Sequence, residues 1–295
     1  MRLAVLEGKQ METIMEGAGQ ANGEQKALWN GPAGEAWVEA QAALDAMFNP
    51  LEAALVEAAQ VNPGDRALDV GCGAGATTLA VAQRLGANGR CVGVDISQPL
   101  IAAARARAER ENARASFLCA DAQTHAFAPA SVDVIVSRFG VMFFDDSVQA
   151  FANLRRAARS RARLRFVAWR AAAENPFMTA AERAAAPLLP DLPARRPDGP
   201  GQFGFADPRR VSCILEESGW TRIDVQPIDA DCAMPESALL DYLTRLGPLG
   251  RILPGTDSPT RTQVIEAVRA AFEPYIHGGD VRFVAACWMV GAQAP

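Results

Sequence analysis

Between residues 66 and 169, short and almost wholly apolar runs alternate with longer stretches rich in alanine, leucine and arginine. The apolar runs cover 66–70, 90–95, 116–119, 132–137 and 164–169. A run without polar alternation suits a strand covered on both faces, and such strands belong to parallel sheets. The segments between them, 77–85, 99–112 and 147–159, hold the residues that favour helix. Ser97 is placed to cap the second of these, with Pro99 in its first turn, where a missing N–H costs little. Strand, helix and strand repeated in this way predict βαβ units and an α/β fold.

The flanks are less regular. Upstream, Trp37, Leu44, Phe48, Leu51 and Leu55 recur at helical spacing. Asn49 followed by Pro50 is expected to split that helix in two, with Asn49 as cap, Pro50 first and Glu52 third. Residues 171–206 are rich in proline and glycine and read as a long loop of the kind that is usually functional. Asp207 and Pro208 then open a helix that Gly219 ends. A strand at 223–228, helices near 236–246 and 259–275, and a last strand at 281–290 complete the reading.

Charge and composition remove several function classes. The formal net charge is −5, so no global field draws in nucleic acid, and the basic runs at 105–114 and 155–165 read as solvated helix faces. No stretch offers the ~20 apolar residues that a membrane helix needs. The opening residues MRLAVLEGKQMETIME meet acids too early for a secretory signal. Six scattered cysteines lack metal or redox spacing and suit a reducing, cytoplasmic setting; no metal is expected.

The block Leu68-Asp69-Val70-Gly71-Cys72-Gly73-Ala74-Gly75 falls at the end of the first strand. Glycine there tolerates φ > 0 in a tight turn and lets a ligand approach the backbone. With Ala76 the block also satisfies the dinucleotide pattern G-x-G-x-x-G/A, so the loop by itself leaves an NAD-dependent oxidoreductase open. Asp69 precedes the first glycine, where an acid meets a ligand's ammonium and repels a pyrophosphate. S-adenosylmethionine (SAM) brings the former and NAD the latter. Asp95 ends the second strand, and a carboxylate there accepts from ribose hydroxyls, which suits either ligand. Asp121 closes the third strand, where an acid receives an adenine amino group between apolar neighbours.

In this order LDVGCGAGATTLA, VDIS, CADA and VDVIVSRFGVMFF resemble the successive blocks of class I SAM-dependent methyltransferases. The group is the methyltransferase-11-like one, similar to quinone-biosynthesis and natural-product tailoring enzymes. WNGPAGEAWV and FADPRRVSCILEESGW are similar to its members as well, so the resemblance covers most of the chain. It implies a Rossmann-like doubly wound sheet of seven strands, mostly parallel with the last antiparallel, plus N-terminal helices and helical lid insertions. The implied divisions are a helical extension or lid at 1–60, a SAM-binding core at 61–170, a substrate lid at 171–206, and the rest of the core at 207–295 with a helical insertion at 232–279. By the same resemblance Asp69, Gly71, Gly73, Gly75 and Thr77 surround the methionine part of SAM, Asp95 holds the ribose, and Ile96 packs on the adenine. Asp121 and Ala122 contact the adenine edge, and Ser137 and Arg138 stand beside the sulfonium and the acceptor. Where relatives carry proline and glycines before the fifth strand, this chain has Ser160-Arg161-Ala162, and a looser connection is expected.

A methyl on a sulfonium is already activated, so the protein's tasks are to align an acceptor and exclude water. A base is needed only if the acceptor must lose a proton. His125 and His277 are the candidates, although an ordinary loop or turn role is the simpler reading for each. Trp29, Trp37, Phe139, Met142 and Phe177 are expected to form an apolar wall, which favours an apolar or aromatic small molecule. The expectation is a monomeric or homodimeric methyltransferase that leaves S-adenosylhomocysteine (SAH), with no nucleic-acid or membrane partner. An NAD-dependent oxidoreductase and a non-catalytic SAM-binding module are the alternatives.

Overall fold

The computed structural model describes residues 22–193, 195 and 199–295. The first part of the expected 1–60 extension and a few positions of the 171–206 segment lie outside them. The strands are β1 (Arg66–Val70), β2 (Arg90–Asp95), β3 (Ala115–Cys119), β4 (Val132–Arg138), β5 (Ala158–Trp169), β6 (Thr221–Pro235), β7 (Ile276–His277) and β8 (Asp280–Gln293). Their order in the sheet is β3-β2-β1-β4-β5-β8-β6, with the two-residue β7 paired to β8. The first five pair in parallel, while β8 is antiparallel to both β5 and β6. The fold is therefore the expected doubly wound α/β sheet, with seven principal strands and one short addition.

Chain order reverses between β1 and β4, so the crossover helices leave these two strands in opposite directions. That divergence opens a crevice at their C-terminal ends, the usual ligand position in such sheets. β1 is buried from Ala67 to Val70, which accounts for its lack of polar alternation. Helices α4 (Ala76–Leu85), α5 (Gln98–Arg110) and α6 (Ser147–Ala157) follow β1, β2 and β4. Ser97 caps α5 by accepting from the Leu100 N–H, and Asp146 caps α6 by accepting from Gln149.

The N-terminal part differs from its sequence reading. Helices α1 (Gly23–Trp29), α2 (Pro32–Glu39) and α3 (Gln41–Ala59) precede the sheet. The break lies between Trp37 and Leu44, and α3 runs unbroken through Asn49 and Pro50. Burial decides this. Leu44, Met47, Phe48, Leu51, Leu55 and Val56 are all buried on α3, at about 1.5–3 kcal/mol for each large side chain. That sum exceeds the ~3 kcal/mol that an internal proline costs. α3 lies against β4, β5 and β6, over the crevice side of the sheet.

Two further differences have simple causes. The 171–206 segment contains a helix, α7 (Pro176–Ala185), which proline starts at its first position and Phe177, Ala180 and Ala185 anchor by burial. β6 and β8 extend well past the expected 223–228 and 281–290, because each supplies the other's hydrogen bonds along a ladder from Thr221 to Pro235. α8 (Pro208–Glu217) begins at the Asp207 cap as expected. After β6 come α9 (Leu239–Arg245), the unforeseen α10 (Gly247–Ile252) and α11 (Ser258–Phe272). Within β5, Arg161 takes a left-handed φ of 64° where the β4–β5 register shifts, and its N–H donates to the Ala294 carbonyl. A bulge pinned to the chain's last residues thus replaces the proline and glycine turn. Among the described residues no helix is long and apolar enough to cross a membrane.

Candidate functional site

The glycine turn after β1 folds back over the end of β2, where the Gly71 and Cys72 N–H groups both donate to the Val94 carbonyl at 2.8 and 3.1 Å. Gly71, Gly73 and Gly75 are all left-handed, with φ of 66°, 54° and 90°. Their surroundings differ. A Cβ on Gly71 would lie 2.5 Å from the Cα of Gly140, and one on Gly75 would lie 2.9 Å from the Phe117 ring. A Cβ on Gly73 would meet nothing within 4 Å. Of the three, Gly73 has open space on its Cβ side, while Gly71 and Gly75 pack against the protein itself.

Three carboxylates stand at the C-terminal ends of adjacent strands. Asp69 is fully buried; its Oδ2 accepts from Thr78 Oγ1 at 2.6 Å, and its Oδ1 is buried without a hydrogen-bond partner. Burial pushes this carboxyl up to about 7, against the opposing pull of the Thr78 hydroxyl and the Arg138 charge. Asp95 accepts from Ser97 N–H at 2.9 Å and from Gly73 N–H at 2.8 Å, tying the glycine turn to β2. Burial raises its carboxyl too, and the Ser97, Gly73 and Ile96 amides work against the rise. Asp121 accepts from Gln123 N–H at 2.9 Å, and both its oxygens accept from Asn22 Nδ2 at 2.9 and 3.0 Å. Beside these acids, Ala122 is buried with its carbonyl bonded to Asn153, and the half-buried Ile96 gives its carbonyl to Asn30.

At the β1–β4 crevice the expected residues divide. Ser137 is fully buried, donates to the Val70 carbonyl at 2.7 Å and accepts from Gly140 N–H at 3.1 Å. Its hydroxyl holds the two strand ends together through two bonds to backbone. Arg138 stands 3.7 Å from Glu52 and 3.8 Å from Asp45, and its buried Nη1 lacks a hydrogen-bond partner. Thr77, also buried, directs its hydroxyl to Glu52 at 3.5 Å, and Asp45 pairs with Arg107 at 2.6 Å. Desolvation raises the Glu52 carboxyl, with Arg138 pulling it down. Asp45 and Glu52 were not foreseen. Their seven-residue spacing, with Phe48 between them, was the available signal of a charged edge beside the apolar stripe of α3.

The five expected wall residues fall into separate groups. Phe139, left-handed at φ 68°, stacks on Trp169 at 4.6 Å, and Phe48 sets its edge against both rings. Trp29 meets Trp37 and Phe143 edge-on at 5.5 and 5.6 Å. Met142 and Phe177 are each only 2% exposed. Phe177 stacks on Phe283 at 3.8 Å among Tyr242, Phe272 and Tyr275, so it and Met142 are core and not wall.

The histidines are placed by turns. His125 donates its N–H to the Asp121 carbonyl and rests its ring edge-on to Phe127 at 4.7 Å. His277 is exposed in β7 opposite Asp280, beside the left-handed Gly278 and Gly279. This hairpin leaves the His277 ring exposed to solvent.

With this geometry in view, residues 67–161 match the family model described as a methyltransferase domain. That segment is similar to a methyltransferase domain. It carries Asp69, the glycine turn, Asp95, Asp121 and Arg138, whereas α1–α3 and everything after Arg161 lie outside it. The chain is 36% identical over 107 residues to aklanonic acid methyltransferase DauC of Streptomyces sp. (strain C5), covering 36% of this chain and 49% of that one. It is 34% identical over 118 residues to nocamycin O-methyltransferase of Saccharothrix syringae, covering 40% and 42%. The chain thus spans less than half the length of either relative. The crystal structure of the YcgJ protein of Bacillus subtilis aligns over 82% of this chain and 97% of its own, with a TM-score of 0.53 at 18% identity, and shares the fold.

Proposed function

We propose that the chain transfers a methyl group from SAM to a small organic acceptor with an apolar or aromatic body. The observation that carries this reading is the unpartnered Oδ1 of Asp69 at the β1–β4 crevice, beside a turn whose Gly73 faces open space. An ammonium group supplies the donor that this buried oxygen lacks, and a pyrophosphate does not. Asp121 already accepts from a planar NH2 group, the donor that an adenine edge also presents. These features fit SAM better than NAD. The names of two relatives, an aklanonic acid methyltransferase and a nocamycin O-methyltransferase, support a small acceptor.

When bound, SAM supplies a methyl on a positively charged sulfur. Asp69 then holds the ammonium, Gly73 admits the ligand to the backbone, Asp95 takes the ribose hydroxyls, Ile96 and Ala122 flank the adenine, and Asp121 receives its amino group. α3 covers the crevice, with Phe48, Phe139 and Trp169 as the apolar surface and Arg138, Glu52 and Thr77 as the polar groups that orient an acceptor. Alignment and exclusion of water are the main contributions of such a site. The six cysteines are all free, which suits a cytoplasmic protein.

Calorimetry with SAH tests the cofactor, and SAM labelled on its methyl, offered with a metabolite extract, tests the transfer. The wild type is expected to bind SAH, Asp95→Ala to lose at least about tenfold in affinity with the ribose bonds, and one compound in the extract to gain one methyl. Absence of binding to both SAM and SAH would reject the proposal.

A further inference from the structure

α1 runs along the strand ends that the nucleoside half of SAM occupies in this reading. Its flanking residue Asn22 sits at the end of β3, and Trp29 and Asn30 sit at the end of β2. Asn22 is 3% exposed and held by a dense set of bonds. Its Nδ2 donates to both oxygens of Asp121, at 2.9 and 3.0 Å, and to Gln123 Oε1 at 3.2 Å. Its Oδ1 accepts from the Asp145 N–H at 2.9 Å, and its own N–H donates to the Asp145 carboxylate at 2.6 Å. At the other end the Trp29 carbonyl accepts from Ser97 Oγ at 2.6 Å. The Asn30 side chain donates to the Ile96 carbonyl at 3.0 Å and accepts from Gln98 N–H at 2.8 Å. The segment is therefore a strap fastened next to Asp121 and next to Asp95.

A primary amide and an adenine amino group are equivalent donors: each offers two N–H bonds in the plane of its nitrogen. Asp121 carries the amide on both oxygens and the Gln123 N–H on one. We propose that Asn22 is a built-in stand-in for the adenine amino group, so that the strap and the nucleoside compete for Asp121. The inference rests on the SAM reading and adds a regulation of the same site. Without cofactor, Asn22 supplies donors to a carboxylate that would otherwise keep only the Gln123 N–H. With cofactor, Asn22 leaves, and the movement passes through the edge contacts of Trp29 with Trp37 and Phe143 to α2 and to the segment after β4. Filling the nucleoside side is in this way coupled to the acceptor side.

The test is calorimetric titration of the wild type, Asn22→Ala and Asn22→Asp with SAH, all as full-length chains. Asn22→Ala is expected to bind SAH about tenfold tighter, the worth of one competing bond to a charged group. Asn22→Asp should bind at least as tightly, because its carboxylate faces Asp121 and Asp145. Hydrogen exchange of residues 22–30 in the wild type should speed up when SAH is added, and this measurement stands even if a variant folds poorly. Unchanged or weaker SAH binding by both variants overturns the competition, as does slower exchange of 22–30 with SAH. No SAH binding by any of the three forms overturns the SAM reading itself.

Discussion

At the ends of β1, β2 and β3 the site is set by backbone: left-handed glycines, strand-end carboxylates and amides that bond to them within a few residues or across one strand. In the helical cover, where Asn22 leads into α1 and α3 lies against β4, β5 and β6, the contributing groups are the side chains of Asn22, Asp45 and Glu52, whose places depend on what the helices pack against. The first region tolerates little change because neighbouring backbones touch. The second is adjustable, since side chains reach the site across 3.5–3.8 Å gaps at Glu52 and Arg138.

Two glycines in one turn give the sharpest way to break this contrast. Gly71→Ala sets a left-handed alanine against the Gly140 backbone, and both penalties apply. It is expected to cost about 3 kcal/mol of stability, read from the urea midpoint. Gly73→Ala carries only the conformational penalty, about 1 kcal/mol. Its added methyl enters the open side of the turn, so SAH affinity should fall about tenfold while the fold persists. If the two variants lose stability equally, the division into a packing glycine and a ligand glycine is wrong.

The same contrast explains what the sequence made legible. The strands 66–70 and 90–95, the caps Ser97 and Asp207, and the strand-end acids all follow from patterns within a few residues, and each lies where local chemistry puts it. Asn22, Asp45 and Glu52 carry no such pattern. Their roles arise from contacts with residues far along the chain, such as Asn22 with Asp121 and Asp45 with Arg107. Large apolar residues were misleading for a related reason: Met142 and Phe177 have the composition of a pocket wall, and only packing shows them to be buried in the core. Ser137 likewise stands at the expected strand end, but its hydroxyl is committed to Val70 and Gly140.

The titration of Asp69 gives a second, smaller effect. Its carboxyl is near 7 when folded and near 3.8 when unfolded, so the stabilising contribution of the protonated form is present in full below about pH 4. That contribution is lost as pH rises through 7. Stability should therefore decline between pH 4 and 7 more steeply in the wild type than in Asp69→Asn, as measured by urea unfolding at a series of pH values. Glu52 and Asp95 are raised in the same direction and leave a residual slope in the variant. An ammonium at Oδ1 favours the ionised form, so SAH binding at pH 6 should release protons and at pH 8 should release fewer. Calorimetry in buffers of different ionisation heat reads this difference. Equal release at both pH values would remove Asp69 as the ammonium partner.

The smallest effect probes the helical cover. Pro50 lies inside α3 and denies a hydrogen bond to the Ala46 carbonyl four residues earlier. Ala46 is exposed, so water can take that carbonyl, and this keeps the proline tolerable on the solvent side while Met47, Phe48 and Leu51 hold the buried side. Pro50→Ala restores the bond but lets the unfolded chain gain freedom, a loss of about 0.4–1 kcal/mol that offsets part of the gain. A net stabilisation of about 1 kcal/mol is expected in urea unfolding. A loss of stability would mean that Pro50 itself is required to bring Asp45 and Glu52 to Arg138, and the cover would then be as strictly built as the strand ends.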